Sequence, residues 1–370
     1  MSTGEELPGV PYGRLDRLLH RLAFGSLEMQ KALGRLENRL HGDQAAPERA
    51  QRPVFVTSLP RAGTTVMLEA LAALPEFASA TYRHMPFTLA PILWQRFARG
   101  FMRSGGRGER AHGDGVEVGL DSPEAFEEML WMAFWPEHYR ERTILPWAAD
   151  AEASEFDTFF RQHMAKIVAS AGGGARRYLS KNNANIARLG LIERLFPDAT
   201  ILVPVREPVA QASSLLRQHR RFTALHRQDS FARQYMEGLG HFEFGAALKP
   251  FAFTDPAPDP ARADEPDFWL AYWCDAFEWV LATAGARVVM IDHDALSVAP
   301  EAYLPPLAEV IGVEDPAALL AVAPRFRPSR PVEPPDGASP ALLERAAALH
   351  ARLRARCLPS APVTANLRVS

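Results

Sequence analysis

Two hydrophobic patterns alternate along the chain. One is the short apolar run, rich in β-branched residues, at 54–59, 200–205 and 287–291, joined by a short strand-like segment from Arg177. Runs of this length that end in turn residues predict buried strands. The other is apolar spacing of three and four, which predicts helices. It covers 64–71, 186–196, a segment after Pro208, 268–284 and 340–357. Near the start, Leu15, Leu18, Leu19 and Leu22 form one stripe and Met29, Leu33, Leu36 and Leu40 a second, with Gly25 between them. That helical segment either packs on its own domain or pairs with a second copy of the chain, so a homodimer through it is a candidate. Residues 41–52 are a polar linker containing Pro47.

Strands alternating with helices predict an α/β fold: a mainly parallel central sheet with helices on both faces. The expected division is an N-terminal helical segment and linker over 1–50 and one catalytic domain over 51–370. Asn185 is placed to cap the helix at 186–196. Residues 100–124 are crowded with glycines and read as a long loop, the kind that in a compact domain is often a lid. Residues 324–340 hold too many prolines for a regular helix.

The turn after the first strand concentrates the chemistry. It reads Pro60-Arg61-Ala62-Gly63-Thr64-Thr65 and leads directly into helical spacing. The first amides of a helix lack intrahelical partners and lie at the positive end of its dipole. Gly63 lets a ligand approach the backbone, the two threonines add hydroxyls, and Arg61 adds a full charge. Such a turn suits a phosphate or sulfate group. The plainer alternative is a strand–turn–helix with a threonine cap.

Composition narrows the classes. The 370 residues are 47% hydrophobic and 23% charged, with a net charge of −3, so no global field favours nucleic acid or an anionic membrane. Two cysteines, Cys274 and Cys357, stand far apart and outside any metal-ligand spacing, which fits a reducing compartment. No signal-peptide core opens the chain, and no uninterrupted apolar stretch approaches a membrane span. A cytoplasmic protein with no integral span, no nucleic-acid partner and no metal is expected.

The turn is not the triphosphatase P-loop, which needs a Lys immediately before the Thr that opens the helix. It resembles the 5′-phosphosulfate loop of sulfotransferases that use 3′-phosphoadenosine 5′-phosphosulfate. That family carries a second motif for the 3′-phosphate: an Arg at a strand end, then x-Pro, then a Ser eight residues after the Arg. Arg206-Glu207-Pro208 and Ser214 match it in type and spacing. The arginine presents a planar fork of donors to a phosphate.

The resemblance implies a P-loop-like sulfotransferase fold and a sulfuryl transfer to a hydroxyl or amine, without a metal. It implies that Arg61, Ala62, Gly63, Thr64 and Thr65 hold the 5′-phosphosulfate while Arg206 and Ser214 hold the 3′-phosphate. Lys181, at the end of its strand, and Arg61 would offset charge on the leaving group. His84 is the first candidate for the base that takes the acceptor proton, with His112, Asp114 and Asp121 behind it. The acceptor would be a small molecule, saccharide or lipid. An aromatic-rich stretch, which includes Trp94, Phe97, Phe126, Trp131, Phe134 and Trp135, is expected to lend it a few walls. Arg325, Arg327 and Arg330 are candidates for a basic flap over the nucleotide. Two rival readings are a nucleotide-binding kinase or triphosphatase, and a non-catalytic nucleotide-binding relic.

Overall fold

A computed structural model describes residues 20–98, 108–109, 117–118, 126–335 and 337–360. Its central sheet has five parallel strands: β1 (Val54–Val56), β2 (Phe77–Ala78), β3 (Arg177–Lys181), β4 (Thr200–Val205) and β5 (Val288–Asp292). They lie in the order β2-β3-β1-β4-β5. β1 is therefore flanked by β3 on one side and β4 on the other. In register, Val56 lies opposite Lys181 and Leu202. The turns leaving these three strands emerge together, at the edge where open parallel sheets bind ligands. A short antiparallel pair, Gly108–Glu109 with Glu117–Val118, lies apart from this sheet.

The helices relevant to the site are α1 (Leu27–Leu40), α2 (Thr64–Ala72), α3 (Pro91–Ala98), α4 (Glu128–Phe134), α5 (Ser154–Ala171), α6 (Leu189–Leu195), α7 (Pro208–Gln228), α8 (Ser230–Leu239), α9 (Pro266–Thr283) and α10 (His293–Val298). Near the carboxyl terminus, α11 (Pro300–Ile311), α12 (Pro316–Ala321) and α13 (Pro340–Arg354) follow. Two apolar clusters sandwich the sheet, and the alternation within β1 shows why. Phe55 points to one cluster, edge-on to Phe160 and Tyr178. Val54 and Val56 point to the other, with Leu68, Leu71 and Ile291.

Two local expectations change. Asn185 does not cap a helix; its amide donates to Glu127 in the buried interior. Asn182 instead caps a 3₁₀ turn over Asn183–Ala187, and α6 begins only after Arg188. The second strand is two residues long and ends before the turn at Tyr82–His84.

The N-terminal helix packs through its polar face. Gln30, Gly34 and Glu37 are buried, whereas Met29, Leu36 and Leu40 are 38%, 46% and 60% exposed. Glu37 explains the orientation. It forms a fully buried ion pair with Lys166 of α5 at 3.0 Å and accepts the Leu93 N–H. Lys166 also donates to the Leu89 carbonyl. Gly34 allows the close approach, since a Cβ there would fall 2.5 Å from the Phe159 ring. Burial lowers the Lys166 pKa and Glu37 opposes the shift.

Breaking a buried pair leaves an uncompensated charge, so Glu37→Ala and Lys166→Ala should each cost roughly 3–5 kcal/mol of unfolding free energy. In a double-mutant cycle followed by urea denaturation, the double variant should cost clearly less than the sum of the two. Simple additivity would show that the pair is not coupled.

Candidate active site at three strand ends

The turn after β1 is held in an uncommon conformation. Arg61 has φ 68° and Gly63 has φ 83°, with Gly63 as the N-cap of α2. A non-glycine residue at positive φ is strained, and such strain persists where the surroundings enforce it. Here the enforcement is visible. Gln211 of α7, fully buried, donates to the Leu59 and Pro60 carbonyls at 3.0 and 2.9 Å, and Trp273 donates to the Gln211 oxygen. The Ser58 hydroxyl donates to the Pro204 carbonyl of β4. Gly63 has a second reason to be glycine: an added Cβ would lie 2.4 Å from Cε1 of His293. Ala62 and Thr64 are buried, and Thr65 is half-buried in the first turn of α2.

The exit of β4 meets this turn. Arg206 donates through Nη1 to the Arg61 carbonyl at 2.7 Å and through Nη2 to the Ser329 hydroxyl at 2.9 Å. Arg61 Nε donates to the Ser214 hydroxyl at 3.1 Å. Of the residues singled out in the two motifs, Arg61, Arg206 and Ser214 are thus in contact, on the turn that also carries Ala62, Gly63, Thr64 and Thr65. Glu207 caps α7 by accepting from Val209 and Ala210, and its own N–H donates to Asp294. Burial lowers the Arg206 pKa from its ordinary value; Asp294 opposes this, and the charges of Arg61 and Arg217 add to it. Three guanidinium groups this close make a site where an anion's oxygens would be favoured.

β3 supplies the third side. Lys181 ends the strand, half-buried, opposite Val56. Beyond it the Asn183 oxygen accepts from the Thr64 hydroxyl at 3.2 Å, and the Asn183 amide donates to Glu243 at 3.3 Å. A buried polar network fixes this exit. Asn182 donates to Glu128 at 2.8 Å, Glu128 pairs with Arg188 and accepts from Tyr139, and Arg188 also donates to Asn185. The Arg188 guanidinium lies over the rings of Trp131 and Trp147, 4.0 and 4.5 Å from their centroids.

Beside the turn opens a cleft. Leu59, Pro60, Asn182 and Asn183 line it on the side of the turn, and Phe242, Glu243, Phe251, Trp269 and Tyr272 line it from the segment after α8 and from α9. These aromatic walls differ from those expected. Phe126, Trp131 and Trp135 are buried in the core, Trp94 packs between Phe87 and Phe97, and Phe134 packs on Phe156 and Phe159. None of them lines the cleft.

The assignment of the base to His84 is revised. His84 is 3% exposed and caps the turn at Thr81, where its Nδ1 accepts the Thr81 N–H at 2.9 Å. Its Nε2 faces the Ser170 hydroxyl and the Gln95 amide, so both ring nitrogens are engaged within the protein. His84 does not line the cleft. Burial lowers its pKa to about 4. His112, Asp114 and Asp121 lie outside the described residues. Arg325 donates to the Glu69 carbonyl, and Arg327 and Arg330 are exposed on an irregular segment whose Ser329 reaches Arg206.

Sequence reasoning missed Asn183, Gln211, Glu243 and His293. The polar run Asn182-Asn183 after a strand was a usable signal for the first. Glu243 and His293 reach the site only through long-range packing, and no local pattern marks them. His293 is buried, with its pKa lowered to about 4 by burial, by far the largest influence, against Asp294 and with Arg206. Among the described residues, no helix is long and apolar enough to cross a membrane, and no cluster of His, Cys, Asp and Glu is placed to hold a metal ion.

Comparison with known proteins gives one family match. The model described as "Sulfotransferase family" matches residues 53–248, a span that contains the β1 turn, β3, Arg206 and Ser214. Among solved structures, the chain is similar to sulfotransferase STF9 from Mycobacterium avium, with 15% identity and a TM-score of 0.48, covering 87% of this chain and 78% of that one. Sulfotransferase STF1 from Mycobacterium tuberculosis H37Rv follows at 15% identity and a TM-score of 0.46, with 85% of each chain covered. A sulfotransferase from Alicyclobacillus acidocaldarius has 16% identity and a TM-score of 0.35, covering 83% of this chain and 94% of that one. No curated protein matches the chain.

Two of the buried histidines give a pH prediction. His84 and His293 stay neutral in the folded chain down to about 4, against an ordinary value of 6.5. Between these values the unfolded chain binds more protons, so stability falls as pH drops from 6.5 toward 4. His84→Gln should flatten this loss by up to about 3 kcal/mol. Urea unfolding near pH 7 and near pH 4.5 measures it, and an unchanged pH slope in the variant would contradict the burial of a neutral ring.

Proposed function

The chain belongs to the sulfotransferase family, and from that premise we propose that it moves a sulfuryl group from 3′-phosphoadenosine 5′-phosphosulfate to an acceptor hydroxyl or amine. One observation carries the proposal: the Arg206 guanidinium rests on the Arg61 carbonyl at 2.7 Å, while Arg61 reaches Ser214 at 3.1 Å. The grips assigned to the 3′-phosphate and to the 5′-phosphosulfate are thereby adjacent, as one nucleotide bearing both groups on a single ribose requires. The residues fit such a ligand in a second way. Arg206 Nε and the Ser213 hydroxyl are buried and have no hydrogen-bond partner, so donors remain for further oxygens.

In this reading the α2 amides, Thr64, Thr65 and Arg61 hold the sulfated end, and Arg206 and Ser214 fix the register. The nucleotide supplies an activated sulfuryl group on a good leaving phosphate. Lys181 and Arg61 offset the charge that grows on the bridging oxygen. We assign the base to Glu243, whose carboxylate is linked through Asn183 to Thr64 and lines the cleft. Glu243 takes the proton of the acceptor hydroxyl as that oxygen bonds to sulfur. The bond from sulfur to the phosphate oxygen breaks, and its electron pair stays on the phosphate. Most of the acceleration comes from positioning and preorganised charge.

Two measurements test this. Calorimetric titration with 3′-phosphoadenosine 5′-phosphate should show binding that Arg206→Ala weakens at least about tenfold, the share of a charge-assisted fork. Tight binding of ATP with magnesium and none of the 3′-phosphorylated nucleotide would favour a kinase or triphosphatase instead. Glu243→Gln should lower kcat by about 10²–10⁴-fold with nucleotide affinity kept. A variant with full activity would remove Glu243 from the mechanism.

A further inference from the structure

The cleft carries information about the acceptor, and the inference drawn from it rests on the sulfuryl-transfer reading above. Much of its wall is the aliphatic and aromatic surface of Ile144, Phe242, Leu248, Phe251, Trp269 and Tyr272. The polar groups among its lining residues are largely engaged by the protein itself. Asn182 donates to Glu128 and accepts from the Ala184 N–H. Asn183 is held between Thr64 and Glu243. The Lys249 ammonium donates to the Arg140 carbonyl at 2.9 Å and lies over the Phe242 ring. The Trp269 indole donates to the Ala263 carbonyl, and the Tyr272 hydroxyl accepts from the Phe251 N–H. Glu243 is different: Asn183 engages one carboxylate oxygen, and the other has no hydrogen-bond partner among the described residues.

We propose that the acceptor is a lipophilic alcohol or phenol, an apolar ring skeleton carrying a single nucleophilic hydroxyl, and not a saccharide. A sugar brings several hydroxyls into the cleft, and each one buried without a partner costs on the order of 1–3 kcal/mol. Most of the groups that would have to receive them already serve the architecture. A flat apolar acceptor makes no such demand. It stacks on the aromatic walls and points its one hydroxyl at the unengaged Glu243 oxygen, on the side where Leu59 and Pro60 lead into the sulfate-holding turn.

The test uses the full chain with 3′-phosphoadenosine 5′-phosphosulfate labelled in its sulfate, and compares 2-naphthol with N-acetylglucosamine as acceptors. The expected result is that kcat/KM for 2-naphthol exceeds that for the sugar by at least about 100-fold. Preferential sulfation of the sugar would overturn the proposal. A second measurement separates it from the reading it rests on. Equilibrium dialysis of 2-naphthol against the protein loaded with 3′-phosphoadenosine 5′-phosphate should show binding that Leu248→Gln weakens at least about tenfold, with nucleotide affinity unchanged as evidence of an intact fold. Nucleotide binding without 2-naphthol binding would reject the acceptor class alone. Failure to bind the nucleotide would reject the sulfotransferase reading, and 2-naphthol binding to the free protein would then still decide whether the cleft takes apolar rings.

Discussion

The contact between the Arg206 guanidinium and the Arg61 carbonyl joins two strand ends that the sheet has already made neighbours. Parallel pairing sets β1 between β3 and β4, so their carboxyl ends cannot part without breaking the ladder. The side-chain contact then fixes how the two turns face each other across about one hydrogen-bond length. Much of the surrounding architecture supports that geometry. Gln211 restrains the carbonyls before Arg61, Ser58 ties the same turn to β4, and Asp294 ties β4's exit to that of β5. A turn with two residues at positive φ holds its shape because each of these bonds would be lost if it relaxed.

The third strand end is set from behind by charge. Glu127 and Glu128 are both buried, and each is surrounded by donors. Glu127 accepts from Trp131, Asn185 and Tyr178, and Glu128 accepts from Asn182, Tyr139 and Arg188. Buried charges are costly, and this network offsets the cost by satisfying nearly all their acceptor sites and by setting Arg188 over two indoles. Such a network is better suited to choosing one arrangement than to adding stability. Asn182 and Asn183 are adjacent, so holding Asn182 on Glu128 determines where Asn183 meets Thr64 and Glu243. The packed core and the candidate site are joined through two neighbouring asparagines.

This division explains what could be read beforehand. The strands, their order of appearance and the anion turn are local patterns, and Arg61, Gly63, Arg206 and Ser214 were identifiable because their spacing is local too. The parallel alternation was legible for the same reason. The base was not. His84 follows the anion turn closely in sequence, but the Thr81 cap turns its ring into the interior. Glu243 lies 60 residues beyond Asn183 and meets it only when the segment after α8 folds back. The acceptor walls were misplaced because aromatic density reports burial, and a core and a cleft have the same composition until the chain is packed. The N-terminal stripe is a different case. Apolar periodicity marks a face that can be buried, but within this chain the helix turns its polar face inward, where Glu37 pairs with Lys166.

The same electrostatics bears on how the site would select its ligand. Arg206 spends two of its donors on neutral acceptors, the Arg61 carbonyl and the Ser329 hydroxyl, and its buried Nε has none. Arg61 likewise donates to a neutral hydroxyl. Hydrogen bonds from a guanidinium to an anion are roughly twice as strong as those between neutral partners. An incoming phosphate therefore outcompetes the Ser329 hydroxyl and also relieves the repulsion among Arg61, Arg206 and Arg217. A neutral ligand gains neither term. In the proposed reading, selection for a polyanion follows from gathering Arg61, Arg206 and Arg217 near one another, with Asp294 and Glu207 offsetting only part of the charge felt at Arg206, and the carbonyl of Arg61 keeps Arg206 in register with the turn.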